Sequence, residues 1–143
     1  MKTKVRNWFN VFLGAVLGLM GFGCFSCGKY GTPYGDFTFE GQVTDENKNP
    51  LPKMQVVRRG GWGEDTKTMH WAEFADTLYT NAEGNYYQHK DDDFPMKSHK
   101  VIVNDPSGVY ESDSIIATVE YSGGHGWYEG EADLKLDFVL KKK

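Results

Sequence analysis

Two-residue alternation constrains this chain more than any other feature. In EADLKLDFVL (131–140), Ala132, Leu134, Leu136, Phe138 and Leu140 alternate with Glu131, Asp133, Lys135 and Asp137, and only Val139 breaks the polar set. Successive side chains of a strand point to opposite faces, so this period builds one apolar face and one wet face. A helix would scatter the same residues around its axis. FTFEGQVT (37–44) repeats the pattern, with Phe37, Phe39, Gly41 and Val43 on one side and Thr38, Glu40, Gln42 and Thr44 on the other. Such one-sided alternation predicts antiparallel sheet.

Further strands are predicted at MQVVRR (54–59), HKVIVND (99–105) and DSIIATVEY (113–121), the last two β-branched and read as inner strands. DENKNPLP (45–52), with two prolines, reverses the chain. DTLYTNAEGNYYQHK (76–90) reads as a hairpin, its loop NAEG closed by Gly84 at a positive φ. No stretch carries a long helical pattern, and TMHWAEFA (68–75) has room for a turn or two at most. About seven short strands at this spacing predict an all-β, antiparallel β-sandwich. It would occupy residues 37–143.

The first thirty residues read as an address. MKTKVRN carries Lys2, Lys4 and Arg6 and no acid, and an apolar run of 16 residues (8–23) follows, interrupted only by Asn10. A positive head, an apolar run and a small-residue exit are the parts of a secretory signal peptide, placed here at 1–23. The run is short for a bilayer span, which needs about 20 residues. It ends at Cys24 and Cys27, the only cysteines of the chain.

A cysteine behind a signal segment and a small residue resembles a bacterial lipobox. The resemblance implies lipidation of the thiol, cleavage before it and acylation of the new amino terminus, hence contact with membrane lipid. Cys24 follows Gly23 and fits best; Cys27 follows Ser26, but has Cys24 where an aliphatic residue is usual. A redox C-x-x-C would lie at a strand-to-helix junction. A zinc site would need two further ligands at matching spacing, and His70, His89, His99 and His125 stand singly. A plain disulfide or spare thiol is the remaining alternative. Residues 24–36 would then be a lipidated tether.

GQVTDENKNPLPKMQVV followed by DTLYTNAEGNYY resembles the carboxypeptidase regulatory-like domain, a transthyretin-like β-sandwich, over about residues 37–103. The matching positions are Gly41, Val43, Asp45, Pro50, Leu51, Pro52, Val56, Thr77, Thr80, Gly84 and Tyr86. Over the whole chain, the lipobox, YGTPYGDF, the sandwich, GWYEGEADLKLDF and the lysine tail resemble the radical SAM-associated lipoproteins, named for genes beside a radical SAM enzyme. That resemblance implies a lipid-anchored cell-envelope protein, on the periplasmic face or the outer-membrane surface. Its partners would be a radical SAM enzyme or an envelope protein. It carries over no catalytic residues. The chain departs from the pattern in its second cysteine and in the long loop RGGWGEDTKTMHWAEFAD.

The body shows few signs of other chemistry. Removing the three N-terminal cations from a formal net charge of −4 leaves −7 for residues 28–143, with 13 basic against 20 acidic side chains. A body this acidic repels phosphate backbones, which argues against nucleic-acid binding. Asp91, Asp92 and Asp93 are adjacent, whereas a calcium loop offers oxygens at alternating positions. Ser107, Ser112 and Ser114 lie near acids but outside any nucleophile turn. His125, in GGHGW, is the one histidine in a glycine-rich setting, and a small hydrolase built on it is a distant alternative. The expectation is a protein that is not an enzyme and needs neither metal nor cofactor.

Two glycine-flanked loops, 58–76 and 121–130, hold Trp62, Trp71, Phe74, Trp127 and Tyr128. Such rings either cap the sandwich or contact a ligand or partner, and Trp62, Trp127 and Tyr128 are the residues chosen for contact. The expected function is therefore a lipid-anchored binding or structural module associated with a radical SAM system. The alternative is that the neighbouring enzyme modifies it, at GWYEGEAD or at Lys141–Lys143.

Overall fold

The described residues form ten strands: β1 (Tyr34–Asp45), β2 (Gln55–Trp62), β3 (His70–Trp71), β4 (Asp76–Tyr79), β5 (Asn85–Asp93), β6 (Ser98–Asn104), β7 (Asp113–Thr118), β8 (Ser122–His125), β9 (Tyr128–Lys135) and β10 (Phe138–Leu140). The structure, a computed structural model, describes residues 12, 15, 31–63 and 67–143. Contacts divide the chain into Met1–Thr32 and Pro33–Lys143. In the first unit Phe12 and Ala15 are helical and exposed. The rest of the expected signal segment, with Cys24 and Cys27, lies outside the described residues.

The second unit is an all-β sandwich of two sheets. One sheet runs β5–β1–β9–β8, with β10 beside β1 beyond the end of β9. The other runs β2–β6–β7, with β3 and β4 sharing the free side of β2. The alternation predicts the buried faces correctly. Phe37, Phe39 and Val43 of β1, Val56 of β2, Val101 and Val103 of β6, Ala132 and Leu134 of β9, and Phe138 and Leu140 of β10 share one core. Fully burying each larger residue of this set contributes about 1.5–3 kcal/mol.

Several expectations change once strands find partners. The sheet containing β1 is mixed, because β9 and β10 both run parallel to β1, with Phe37 opposite Ala132 and Val43 opposite Phe138. Alternation specifies faces and says nothing of direction. The single strand expected at 131–140 is two, because the chain steps around Gly41 at Leu136 and Asp137. There Leu136 N–H donates to Glu40 O (3.0 Å), Asp137 Oδ1 accepts from Gln42 N–H (2.9 Å), and the Tyr86 hydroxyl donates to Leu136 O.

Residues 76–90 are not a hairpin. β4 pairs with β2 and β5 with β1, so the chain crosses from one sheet to the other. The crossing is held by Thr80, whose buried Oγ1 accepts from Met54 N–H (2.9 Å) and donates to Leu51 O (2.6 Å). Gly84 has the expected positive φ, +73°, and a Cβ there would stand 2.5 Å from Val43 O. Of the expected inner strands, β6 is central, but β7 pairs only with β6 and leaves Ile116 exposed. The helical turn allowed for 68–75 is replaced by β3, paired to β2. β1 starts at Tyr34, ahead of the regular alternation, because a bulge between Gly35 and Phe37 breaks the period.

Candidate functional site

Most loops that the sequence marks as aromatic meet at one end of the sandwich, where β1 begins; it is called here the entry end. Gly35 of β1 lies opposite Asp93 of β5, Gly61 of β2 opposite Ser98 of β6, and Tyr34 opposite Tyr128 of β9. Three polar residues occupy inward phases of strands near this end. Arg58 follows Val56 on β2, His99 precedes Val101 and Val103 on β6, and Lys90 follows Tyr86 and Gln88 on β5.

Arg58 is 5% exposed and His99 1%. Arg58 Nη1 donates to His99 Nδ1 at 3.0 Å, and His99 Nε2 lies 2.9 Å from Met96 O. A guanidinium offers no lone pair, so Nδ1 must accept and Nε2 must carry the proton. The ring is therefore neutral, with both nitrogens committed. Burial, and then the Arg58 charge, push its pKa down to about 4. The ring stacks on Phe37 with centroids 4.6 Å apart, and Arg58 Cζ also lies 4.6 Å from the Phe37 centroid.

Arg58 Nη2 donates to Asp76 on β4, and Lys90 Nζ reaches Asp76 at 2.9 Å and Asp93 at 3.8 Å. Burial works to raise the Asp76 pKa, but hydrogen bonds and charge from Lys90 and Arg58 hold it below the usual carboxylate value. Two cations and two carboxylates leave the array neutral. Within the array, Arg58 Nε has no hydrogen-bond partner among the described residues. Because β2 and β4 belong to one sheet and β5 to the other, the array ties the two sheets together. It holds an ionised carboxylate and a fully bonded imidazole, which suits an electrostatic tie better than proton transfer.

Beside the tie lies a crevice of about 70 Å³ whose lining includes Phe74, Phe94, Met96 and Tyr121. Burial, then the nearby Asp93 charge, push the Tyr121 pKa up to about 12. Phe74 is 75% and Phe94 48% exposed, so they form a rim rather than a core. Trp62 and Trp127 are 52% and 50% exposed. Among the described residues of the sandwich these four are all the exposed phenylalanines and tryptophans, and all lie at the entry end. Larger but shallow, polar grooves run beside Glu40 and Lys135 and beside Ser112 and Lys141.

The three residues chosen for contact are placed differently. Trp62 ends β2 and stacks across the strand on His70 of β3, with centroids 6.4 Å apart. Trp127 follows Gly126, whose φ of +61° opens the two-residue loop between β8 and β9. Tyr128 packs on Tyr34 at 5.3 Å and donates its hydroxyl to Asp36 at 2.8 Å, which pushes the tyrosine pKa up to about 12. Its polar end is thus committed to bracing β1, while Trp127, and Trp62 beyond its stack on His70, remain about half exposed. The aspartate row divides among separate partners: Asp91 to His89, Asp93 toward Lys90, and Asp92 N–H to Asp36. Ser107 Oγ donates to Asp105, which also accepts from three backbone N–H groups, as a turn cap does. His125 is exposed and lies edge-on to Tyr128 at 6.2 Å. Among the described residues, no three His, Cys, Asp or Glu side chains converge as metal ligands would.

Sequence reasoning missed Arg58, Asp76, Lys90, His99 and Tyr121. A signal for three of them existed: a polar residue on the apolar phase of a strand must be paired once buried.

No protein-family description matches the sequence, and no curated protein matches it. Solved structures do resemble the sandwich. Chlorocatechol 1,2-dioxygenase from Pseudomonas putida is 11% identical with a TM-score of 0.51, over 76% of this chain and 61% of that one. 3-Chlorocatechol 1,2-dioxygenase from Rhodococcus opacus 1CP is 12% identical with a TM-score of 0.52, over 80% and 62%. Catechol 1,2-dioxygenase from Pseudomonas arvilla C-1 is 15% identical with a TM-score of 0.51, over 80% and 54%. The match thus spans less than two thirds of each neighbour, and at these identities it shows the fold alone.

Proposed function

We infer that the chain is a lipid-anchored cell-envelope protein whose sandwich is a binding module with its contact surface at the entry end. The observation that carries this reading is the exposure of Trp62, Phe74, Phe94 and Trp127 at that end, where Phe74 and Phe94 rim the crevice. Exposed rings on loops braced by a rigid tie are what a recognition surface requires. The signal-like segment and the lipobox resemblance support the anchor, and the family resemblance supports association with a radical SAM system. A second reading is modification by the neighbouring enzyme at GWYEGEAD or at Lys141–Lys143. Residues 128–133 lie within β9, and the C-terminal tail is bonded through Glu111 N–H to Lys141 O and Lys143 N–H to Val109 O. Gly126, Trp127, Glu129, Glu131, Asp133 and the three lysines are exposed.

Intact mass of the chain, purified from producing cells with and without the neighbouring enzyme, tests both readings. Acylation should appear in both samples, move or fall with Cys24→Ala, and vanish in the Cys24→Ala/Cys27→Ala variant. Acylation of the double variant would defeat the anchor. An enzyme-dependent mass change that maps to residues 126–133 or to the lysine tail would favour the second reading.

A further inference from the structure

We propose that the entry end of the sandwich docks on the interfacial region of the bilayer that carries the anchor, with Trp62, Phe74, Phe94 and Trp127 as the inserting side chains. The inference rests on the lipid-anchor reading above. Placement is its first support: the four exposed phenylalanines and tryptophans of the described sandwich share one end, and the exposed rings away from it, Tyr79 and Tyr87, are tyrosines. Aromatic side chains favour the headgroup level, where ring faces meet hydrocarbon and ring edges meet water.

Reach is the second support. Residues 24–33 extend at most roughly 35 Å, and residues 27–33 about 25 Å. β1 alone, at 12 residues, is about 40 Å long. A tether of this length, joined to the body at the entry end, keeps that end within about 35 Å of the bilayer, close enough for its rings to reach the interface. Charges on the entry loops are of both signs, with Lys67 and Lys97 among Glu73, Glu120 and Glu129. Docking therefore draws on ring insertion more than on attraction to anionic lipid, and it should withstand salt.

The test uses the full acylated chain in vesicles of phosphatidylethanolamine and phosphatidylglycerol whose acyl chains carry bromine at shallow or deep positions. Signal cleavage removes Trp8, so emission comes from Trp62, Trp71 and Trp127. Shallow bromines should quench it more than deep ones, the quenching should persist at high salt, and Phe74→Ser/Phe94→Ser should lose much of it. These two rings are exposed, so the variant is expected to fold. An acylated chain that floats with the vesicles yet is not quenched overturns the docking and leaves the anchor standing; that is the result if a soluble ligand or another protein occupies this end. A chain without acyl mass that does not float removes the anchor, and the docking with it.

Discussion

His99 shows how one residue's surroundings set its chemistry. Its two nitrogens are held by Arg58 and Met96, and its ring lies against Phe37, so the folded protein has no place for a second ring proton. In the unfolded chain the ring takes up that proton near pH 6.5; in the folded protein it does so only near 4. Between those values the unfolded state binds more protons, so stability rises with pH. The contribution of the neutral ring is complete above about pH 6.5 and is lost on acidification, at up to about 1.4 kcal/mol per pH unit. Asp76, whose pKa is lowered, loses its contribution only below the usual carboxylate range, so the two windows separate. Urea unfolding measured from pH 7 to 4.5 should fall steadily in the parent and much less in His99→Gln, whose amide can replace both hydrogen bonds. Equal slopes would defeat the assignment.

Among the elements, β1 is the most constrained. It has β5 on one side, and β9 followed by β10 on the other, and Gly41 sits where the chain passes from β9 to β10. A Cβ at position 41 would stand 1.7 Å from Leu136 O and 2.4 Å from the Tyr86 hydroxyl. Neither has room to yield, because that hydroxyl donates to the same carbonyl. Gly41→Ala should therefore cost about 2–3 kcal/mol, as overpacking does. Hydrogen exchange should place the largest change in Phe138–Leu140, where β10 would be pushed off β1. A variant with unchanged unfolding midpoint and exchange would show that the step at Leu136 is looser than its contacts imply.

For the molecule as a whole, the two ends have different tasks. The end away from the entry is closed by carboxylates that cap turns: Asp45 accepts from Asn47 and Asn49, and Asp105 from Ser107, Val109 and Tyr110. The entry end is held instead by the tie that crosses between sheets, which leaves its rings free to make contact. Arg58→Ala removes the centre of that tie and leaves Asp76 with Lys90 alone. The expected loss is about 3 kcal/mol, in line with breaking a buried pair from one side. Because one core spans both sheets, tryptophan emission and far-ultraviolet circular dichroism should fall together in urea. An early, separate transition would mean that the sheets are held independently of the tie.

The period of two, by itself, determined where most strands lie and which residues face inward. That is a local property of pleated backbone, legible without knowing any partner. Phe37, Phe39, Val43, Ala132, Leu134, Phe138 and Leu140 are buried as their spacing requires. The tertiary structure decided what the period cannot carry: which strands pair, in which direction, and in which sheet. It made β9 and β10 parallel to β1, and sent residues 76–90 across the sandwich instead of back along one sheet. The tie depends on those choices. Arg58 and His99 stand 41 residues apart and meet only because β2 and β6 are neighbours, and Lys90 reaches Asp76 only because β4 and β5 belong to opposite sheets. Arg58, His99 and Lys90 were visible in the sequence as polar residues out of phase; their partners were set by distance in space, which alternation does not encode.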